Sequence, residues 1–88
     1  MVWQIQFDPK AVKELQKLDN VAQKRIIRYL KTQVAVQSNP RIFGRGLKGD
    51  KQGLWRYRVG DYRIICDIRD QHLIVLVVKI GPRQSVYD

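Results

Sequence analysis

Acidic residues, cysteine and histidine are all scarce in this 88-residue chain. The lone cysteine, Cys66, excludes an internal disulfide, and its position between Ile65 and Ile68 in an apolar run reads as a small core residue. The lone histidine, His72, stands beside Arg69 and Asp70 at an expected turn, where a surface role is the natural reading. With one His, one Cys and eight Asp and Glu, no cluster at metal-ligand spacing exists, so a two-metal site is not expected and no cofactor is implied. Long apolar runs are also missing. The longest, Leu73 to Val78, falls far short of the ~20 residues that span a bilayer, and no charged segment followed by an apolar one opens the chain. The sequence therefore predicts a soluble, cytoplasmic protein. Its length suits one domain, residues 1–88, without repeat, linker or low-complexity tract.

What the chain has in excess is positive charge. Seventeen Lys and Arg against eight Asp and Glu give a formal charge of +9. Such a field concentrates anionic partners and speeds encounter with them, which points to nucleic acid or an acidic protein, with a merely solvated basic surface as the bland alternative.

Alternation over Val2 to Phe7, with Trp3, Ile5 and Phe7 on one side, predicts a half-buried first strand. Asp8-Pro9 is an N-cap and first-turn pair, and Ala11, Leu15 and Leu18 follow at helical spacing. Asp19 and Asn20 break that helix and can cap a longer one, whose apolar stripe runs through Ile26, Ile27, Leu30 and Val34 until Ser38-Asn39-Pro40. Lys24, Arg25, Arg28 and Lys31 on its polar face read as a solvated face, with contact to an acidic partner as the alternative.

From Arg41 to Gly53, four glycines among Arg41, Arg45, Lys48 and Lys51 predict a mobile, basic, turn-rich connection suited to diffuse phosphate contact. It matches no Walker or dinucleotide fingerprint. Leu54–Val59, Tyr62–Ile68 and Leu73–Ile80 are strand candidates separated by Gly60-Asp61 and by a turn near Asp70-Gln71. The expected fold is α+β, in the order β-α-α-β-β-β, with the two helices packed on one face of a small, mostly antiparallel sheet.

Alternation along Trp55-Arg56-Tyr57-Arg58-Val59 sends the apolar residues toward the helices and puts Arg56 and Arg58 on the other face. A two-residue Gly60-Asp61 turn would set Arg58 directly across from Arg63, with Cβ atoms about 5 Å apart. Like charges in that position weaken a sheet, so three converging arginines suggest a polyanion site; the alternative is splayed, solvated side chains or pairing with Asp61 or Asp67. Beyond the last strand, Gly81-Pro82-Arg83-Gln84-Ser85-Val86-Tyr87-Asp88 adds a fourth arginine and a tyrosine.

The runs Gly46-Leu47-Lys48-Gly49, Leu54-Trp55-Arg56-Tyr57-Arg58-Val59-Gly60-Asp61-Tyr62-Arg63-Ile64-Ile65, Val78-Lys79-Ile80-Gly81-Pro82-Arg83 and Val86-Tyr87 resemble the RelE branch of the RelE/ParE toxin superfamily. The resemblance covers nearly the whole chain. It implies a type II toxin, neutralised by a cognate acidic, RelB-like antitoxin in a hetero-oligomer, that cleaves messenger RNA in the ribosomal decoding site and so inhibits translation. By the same resemblance, Arg58, Arg63, Arg83 and Tyr87 are the expected catalytic residues. Arg56, Lys48, Arg45 and Lys51 are expected to bind RNA phosphates. Two departures stand out: arginines replace lysines found on the strands of some relatives, and Pro82 stands where histidine or lysine is frequent. The gyrase-poisoning branch shares the fold but is expected to lack the full basic and tyrosine set.

Overall fold

The computed structural model describes residues 2–82. Arg83 and Tyr87 lie outside the described residues. Five strands form one sheet in the order β1-β5-β4-β3-β2, where β1 is Gln4–Phe7, β2 Arg45–Gly46, β3 Trp55–Val59, β4 Tyr62–Arg69 and β5 Ile74–Pro82. All neighbours are antiparallel except β1 and β5, which run parallel; the two helices α1 (Pro9–Gln16) and α2 (Asn20–Tyr29) lie between β1 and β2 in the chain. Among the described residues, no helix is long and apolar enough to cross a membrane.

Local chemistry explains the helix boundaries. The Asp8 side chain accepts from the Lys10 N–H at 2.8 Å with Pro9 in the first turn, and Asp19 accepts from the Ala22 N–H at 2.7 Å. Past Tyr29 the apolar stripe continues, but the backbone widens: residues Leu30–Val34 form a π-type turn, closed by the Ala35 N–H donating to Leu30 O. The Ala35 carbonyl then accepts from the N–H groups of Val2 and Trp3, which ties the end of this segment to the start of β1.

The core lies between the helices and one sheet face. Ala11, Leu15, Ile26, Leu30 and Val34 meet Tyr57, Val59, Ile64, Cys66, Val75, Val77 and Ile80. Burial pushes the Cys66 thiol up, as suits a packing residue rather than a nucleophile. His72 is exposed in a 3-10 turn, Asp70–His72, away from the arginine strands.

The Arg41–Gly53 connection is more ordered than its composition suggests. It contains β2, a strand that sequence reading left out, because two residues flanked by glycines carry no periodicity. Its first half is held by aromatic side chains from β3: the Tyr57 hydroxyl donates to Pro40 O at 2.7 Å, and the Trp55 indole N–H donates to Phe43 O at 2.7 Å. Gly44, at φ +79°, fits against β3 so tightly that a Cβ there would lie 2.3 Å from Arg56 O. A bidentate Arg41–Asp70 pair closes the outside, with Asp70 held below its usual range by the guanidinium.

At the far edge of β5, β1 has ended by the time the chain reaches Ile80. The Ile80 N–H instead donates to the Glu14 carboxylate of α1 at 2.9 Å, which supplies the acceptor that a longer β1 would have provided.

Two substitutions test these anchors by denaturant unfolding. Tyr57→Phe leaves the Pro40 carbonyl without its donor and is expected to cost about 1–3 kcal/mol. Glu14→Ala is expected to cost about 1 kcal/mol, while Glu14→Gln, which keeps an acceptor oxygen, retains most of the stability.

Candidate functional site

The face of the sheet away from the helices carries the basic residues, and cross-strand register decides which of them meet. The β3–β4 hairpin turns at Gly60-Asp61 with Gly60 at φ +59°, the left-handed value that the first central residue of a type II′ turn requires. Val59 therefore pairs with Tyr62, and Arg58 with Arg63. Side chains directly opposite one another share a face, so Arg58 and Arg63 stand together, as the alternation predicts.

A second row crosses the same face. Arg45 of β2 pairs with Arg56 of β3, Arg56 with Ile65 of β4, and Ile65 with Lys79 of β5. Arg45 and Arg58 are exposed, whereas Arg56, Arg63 and Lys79 are partly buried. Ile65 is fully buried even though it sits in this row, outside the core cluster. Long basic side chains carry apolar stems suited to covering such a residue while their charged heads reach water.

Lys79 is the member that sequence reasoning missed. Strict alternation from the buried Val75 and Val77 would turn Lys79 inward. The register instead jumps between Ile65↔Lys79 and Cys66↔Val77, so Val78 is the extra residue of a β-bulge. The bulge reverses the phase, returning Ile80 to the core and sending Lys79 to the arginine face. A charge at an apolar phase position was the available signal for it.

Among the described residues, two carboxylates near this surface pair with arginines outside the Arg45, Arg56, Arg58 and Arg63 group. Asp67 binds Arg69 at 3.2 Å and Asp70 binds Arg41 at 2.8 Å. Asp61 is exposed in the hairpin turn.

Two adjoining clefts share Arg45 and Arg56. One, of about 460 Å³, gathers Lys48 and Lys51 of the connection beside them, with Asp50 on its rim. The other, of about 450 Å³, adds Arg58 and Arg63 and is bordered by Tyr29 and Phe43. The structure thus brings together Arg45, Lys48, Lys51, Arg56, Arg58 and Arg63 from the sequence-predicted set. Chemically, closely spaced guanidinium groups offer forked donors to phosphate oxygens and stabilise charge that builds on them.

Comparison with known proteins gives the family and the fold. Residues 5–87 match the family described as ParE toxin of type II toxin-antitoxin system, parDE. A RelE-like toxin protein of Escherichia coli is 33% identical over 85 residues, covering 96% of this chain and 86% of the relative. The mRNA interferase toxin RelE of Escherichia coli strain K12 is 29% identical over 86 residues, with the same coverage. In fold, the chain resembles the toxin–antitoxin complex RelBE2 of Mycobacterium tuberculosis at a TM-score of 0.85 and 22% identity, covering 94% of this chain and 93% of that one. It also resembles the archaeal RelE–RelB complex of Pyrococcus horikoshii OT3 at a TM-score of 0.71 and 25% identity, covering 98% and 100%. With two helices on a five-stranded sheet, an arginine-lined outer face and relatives of this kind, the chain belongs to the RelE branch of the RelE/ParE superfamily of type II toxin–antitoxin toxins.

Proposed function

We propose that this chain is a ribosome-dependent endoribonuclease that cleaves messenger RNA in the decoding site. The observation that carries the reading is the pairing of Arg58 with Arg63, flanked by Arg56, Arg45 and Lys79 on one sheet face. Nearby positive charges held by a rigid ladder suit a single-stranded polyanion, and relatives that bear the name mRNA interferase favour RNA over DNA.

The chemistry needs no external water or metal. The 2′-hydroxyl of RNA attacks the adjacent phosphorus, a new P–O2′ bond forms, and the P–O5′ bond breaks. The proton lost from the 2′-oxygen goes to a base, and the departing 5′-oxygen takes up a proton. Arg58 and Arg63 would grip the non-bridging oxygens and stabilise the charge that grows on them in the transition state. Guanidinium stays protonated, so it is a poor proton shuttle. Tyr87 is the residue we assign to proton abstraction or base stacking, and Arg83 to further phosphate stabilisation, both on the family pattern. Cations around a phenol lower its pKa and make phenolate accessible.

This equipment is modest for acid–base work, so the ribosome's role in the proposal is to hold the message in line for attack. The partner that restrains the toxin is an acidic antitoxin: solved structures of related folds are complexes of RelE with RelB. Charge complementarity to a +9 chain provides the physical basis. The working compartment is then the cytoplasm, where ribosomes translate.

Primer extension on message from a translating bacterial extract tests the reading. New, ribosome-dependent ends are expected with the wild-type chain, and Arg58→Ala or Arg63→Ala should each lower the cleavage rate by about 10²–10³-fold. An Arg83→Ala, Tyr87→Ala double variant should abolish the ends. Uncut message alongside inhibited gyrase would transfer the chain to the gyrase-poison reading.

Binding of single-stranded RNA should weaken steeply with salt. Replacing Arg56 or Lys79 by Ala is expected to reduce the slope of log K against log salt by about 0.7 for each phosphate that the side chain neutralises. Unchanged slopes would remove those residues from the interface.

A further inference from the structure

Phosphate contacts by Arg45, Arg56, Arg58 and Arg63 are blind to base identity. The second cleft has another component that the arginines do not explain. Its border includes Tyr29, from the last turn of α2, and Phe43, from the pinned connection. We infer that the cleft is a nucleobase subsite, in which one base of a single-stranded RNA packs against Tyr29 and Phe43 while its phosphate is held by the neighbouring arginines. This inference rests on the RNA-directed reading above and adds a place where sequence can be read.

The two rings are fixed in advance. Their centroids lie 6.4 Å apart at 59°, and Tyr29 also meets Tyr57 at 6.2 Å and 62°, edge to face. Phe43 owes its position to the Trp55 indole bond on its own carbonyl, to the Tyr57–Pro40 bond three residues upstream, and to the tight seat of Gly44 against Arg56 O. Such anchoring lowers the ordering cost of binding, so the aromatic contact is available to a ligand rather than spent on immobilising a loop.

The two tyrosines of this cluster differ in a telling way. Tyr57 is fully buried and its hydroxyl is committed to Pro40. Tyr29 is partly buried, and among the described residues no protein group hydrogen-bonds its hydroxyl. Partial burial raises its pKa, so it stays a neutral O–H that can donate to or accept from the edge of a base.

The location also suits a strand of RNA. Ahead of β2, Phe43 and Gly44 run beside β3, with Gly44 seated against Arg56 O and the Tyr57 ring, so the aromatic pair lies at the edge of the arginine face. The cleft joins Tyr29 and Phe43 to Arg45, Arg56, Arg58 and Arg63 there, where a chain running over the arginine face can turn one base toward α2. Its volume of about 450 Å³ lies within the ~300–1,000 Å³ typical of small-molecule sites and exceeds what a single base fills.

The test uses the full chain, off the ribosome and at low salt. Short 2′-O-methyl oligoribonucleotides, which cannot be cleaved, are compared with strands in which one abasic position is walked along the sequence, with affinity read by fluorescence anisotropy. One position is expected to lose about tenfold in affinity when its base is removed. Phe43→Leu, which keeps bulk but not the aromatic face, should bring the intact strand down toward the abasic affinity, while Tyr29→Phe should keep stacking and alter which base is preferred at that position. Arg58→Ala should weaken intact and abasic strands by the same factor. Thermal unfolding and circular dichroism of each variant separate a binding defect from a folding defect.

A flat abasic walk, or a folded Phe43→Leu variant with unchanged base dependence, overturns the subsite. So does the absence of any RNA binding, including the case in which the variants weaken only the complex with an acidic antitoxin peptide. Because the probe is uncleavable, base-dependent binding by a chain that leaves message intact would keep the subsite and retire the nuclease; cleaved message with a flat walk would do the reverse.

Discussion

Register across the β3–β4 hairpin is the constraint on which the site depends. The same ladder that seats Tyr57 beside Ile64 and Ile80 in the core forces Arg58 beside Arg63 on the outer face. A slip by one residue would exchange the faces, burying guanidinium and exposing the core. Opposed like charges weaken a sheet by roughly 0.2–1 kcal/mol, a small sum against the burial of several apolar side chains at about 1.5–3 kcal/mol each. The core can therefore impose a charge arrangement that the surface alone would not choose. Cations held close by packing in this way are what the phosphate site proposed above would require.

Two irregularities extend the site beyond the hairpin. The bulge at Val78 turns Lys79 outward and restores Ile80 to the core within two residues, so the basic row continues onto β5 without loss of packing. Ahead of β2, Gly44 seats against β3 and sets Phe43 beside Tyr29 at the border of the cleft. Beside it, Trp55 and Tyr57 use their polar atoms to hold the backbone of residues 40 and 43. One strand thus contributes its aromatic residues to the core and to loop anchoring, and its arginines to the outer face.

Much of this was legible in the chain. The caps at Asp8 and Asp19, the helical stripes, the Gly60-Asp61 turn and the alternation of β3 each depend on neighbours within a few residues, and the structure shows all of them. The resemblance carried by Tyr57-Arg58-Val59-Gly60-Asp61-Tyr62-Arg63 also pointed to the family that the comparisons support. The helix boundary at Tyr29 was less legible, because the apolar stripe runs on through a π-type turn that keeps Leu30 and Val34 buried. The connection read as mobile because its composition is glycine-rich, whereas its anchors are carbonyls that accept from residues 12 and 17 positions away.

By itself the sequence determined the α+β class, the pairing of Arg58 with Arg63 and the excess of positive charge, because local periodicity, one short turn and composition suffice for these. Only the tertiary structure decided that Lys79 joins the arginines and that Tyr29 and Phe43 border their cleft. The physical reason is that these depend on a bulge in strand pairing, on the close seat of Gly44 against a neighbouring strand and on hydrogen bonds between distant segments. None of the three leaves a periodic trace in the chain.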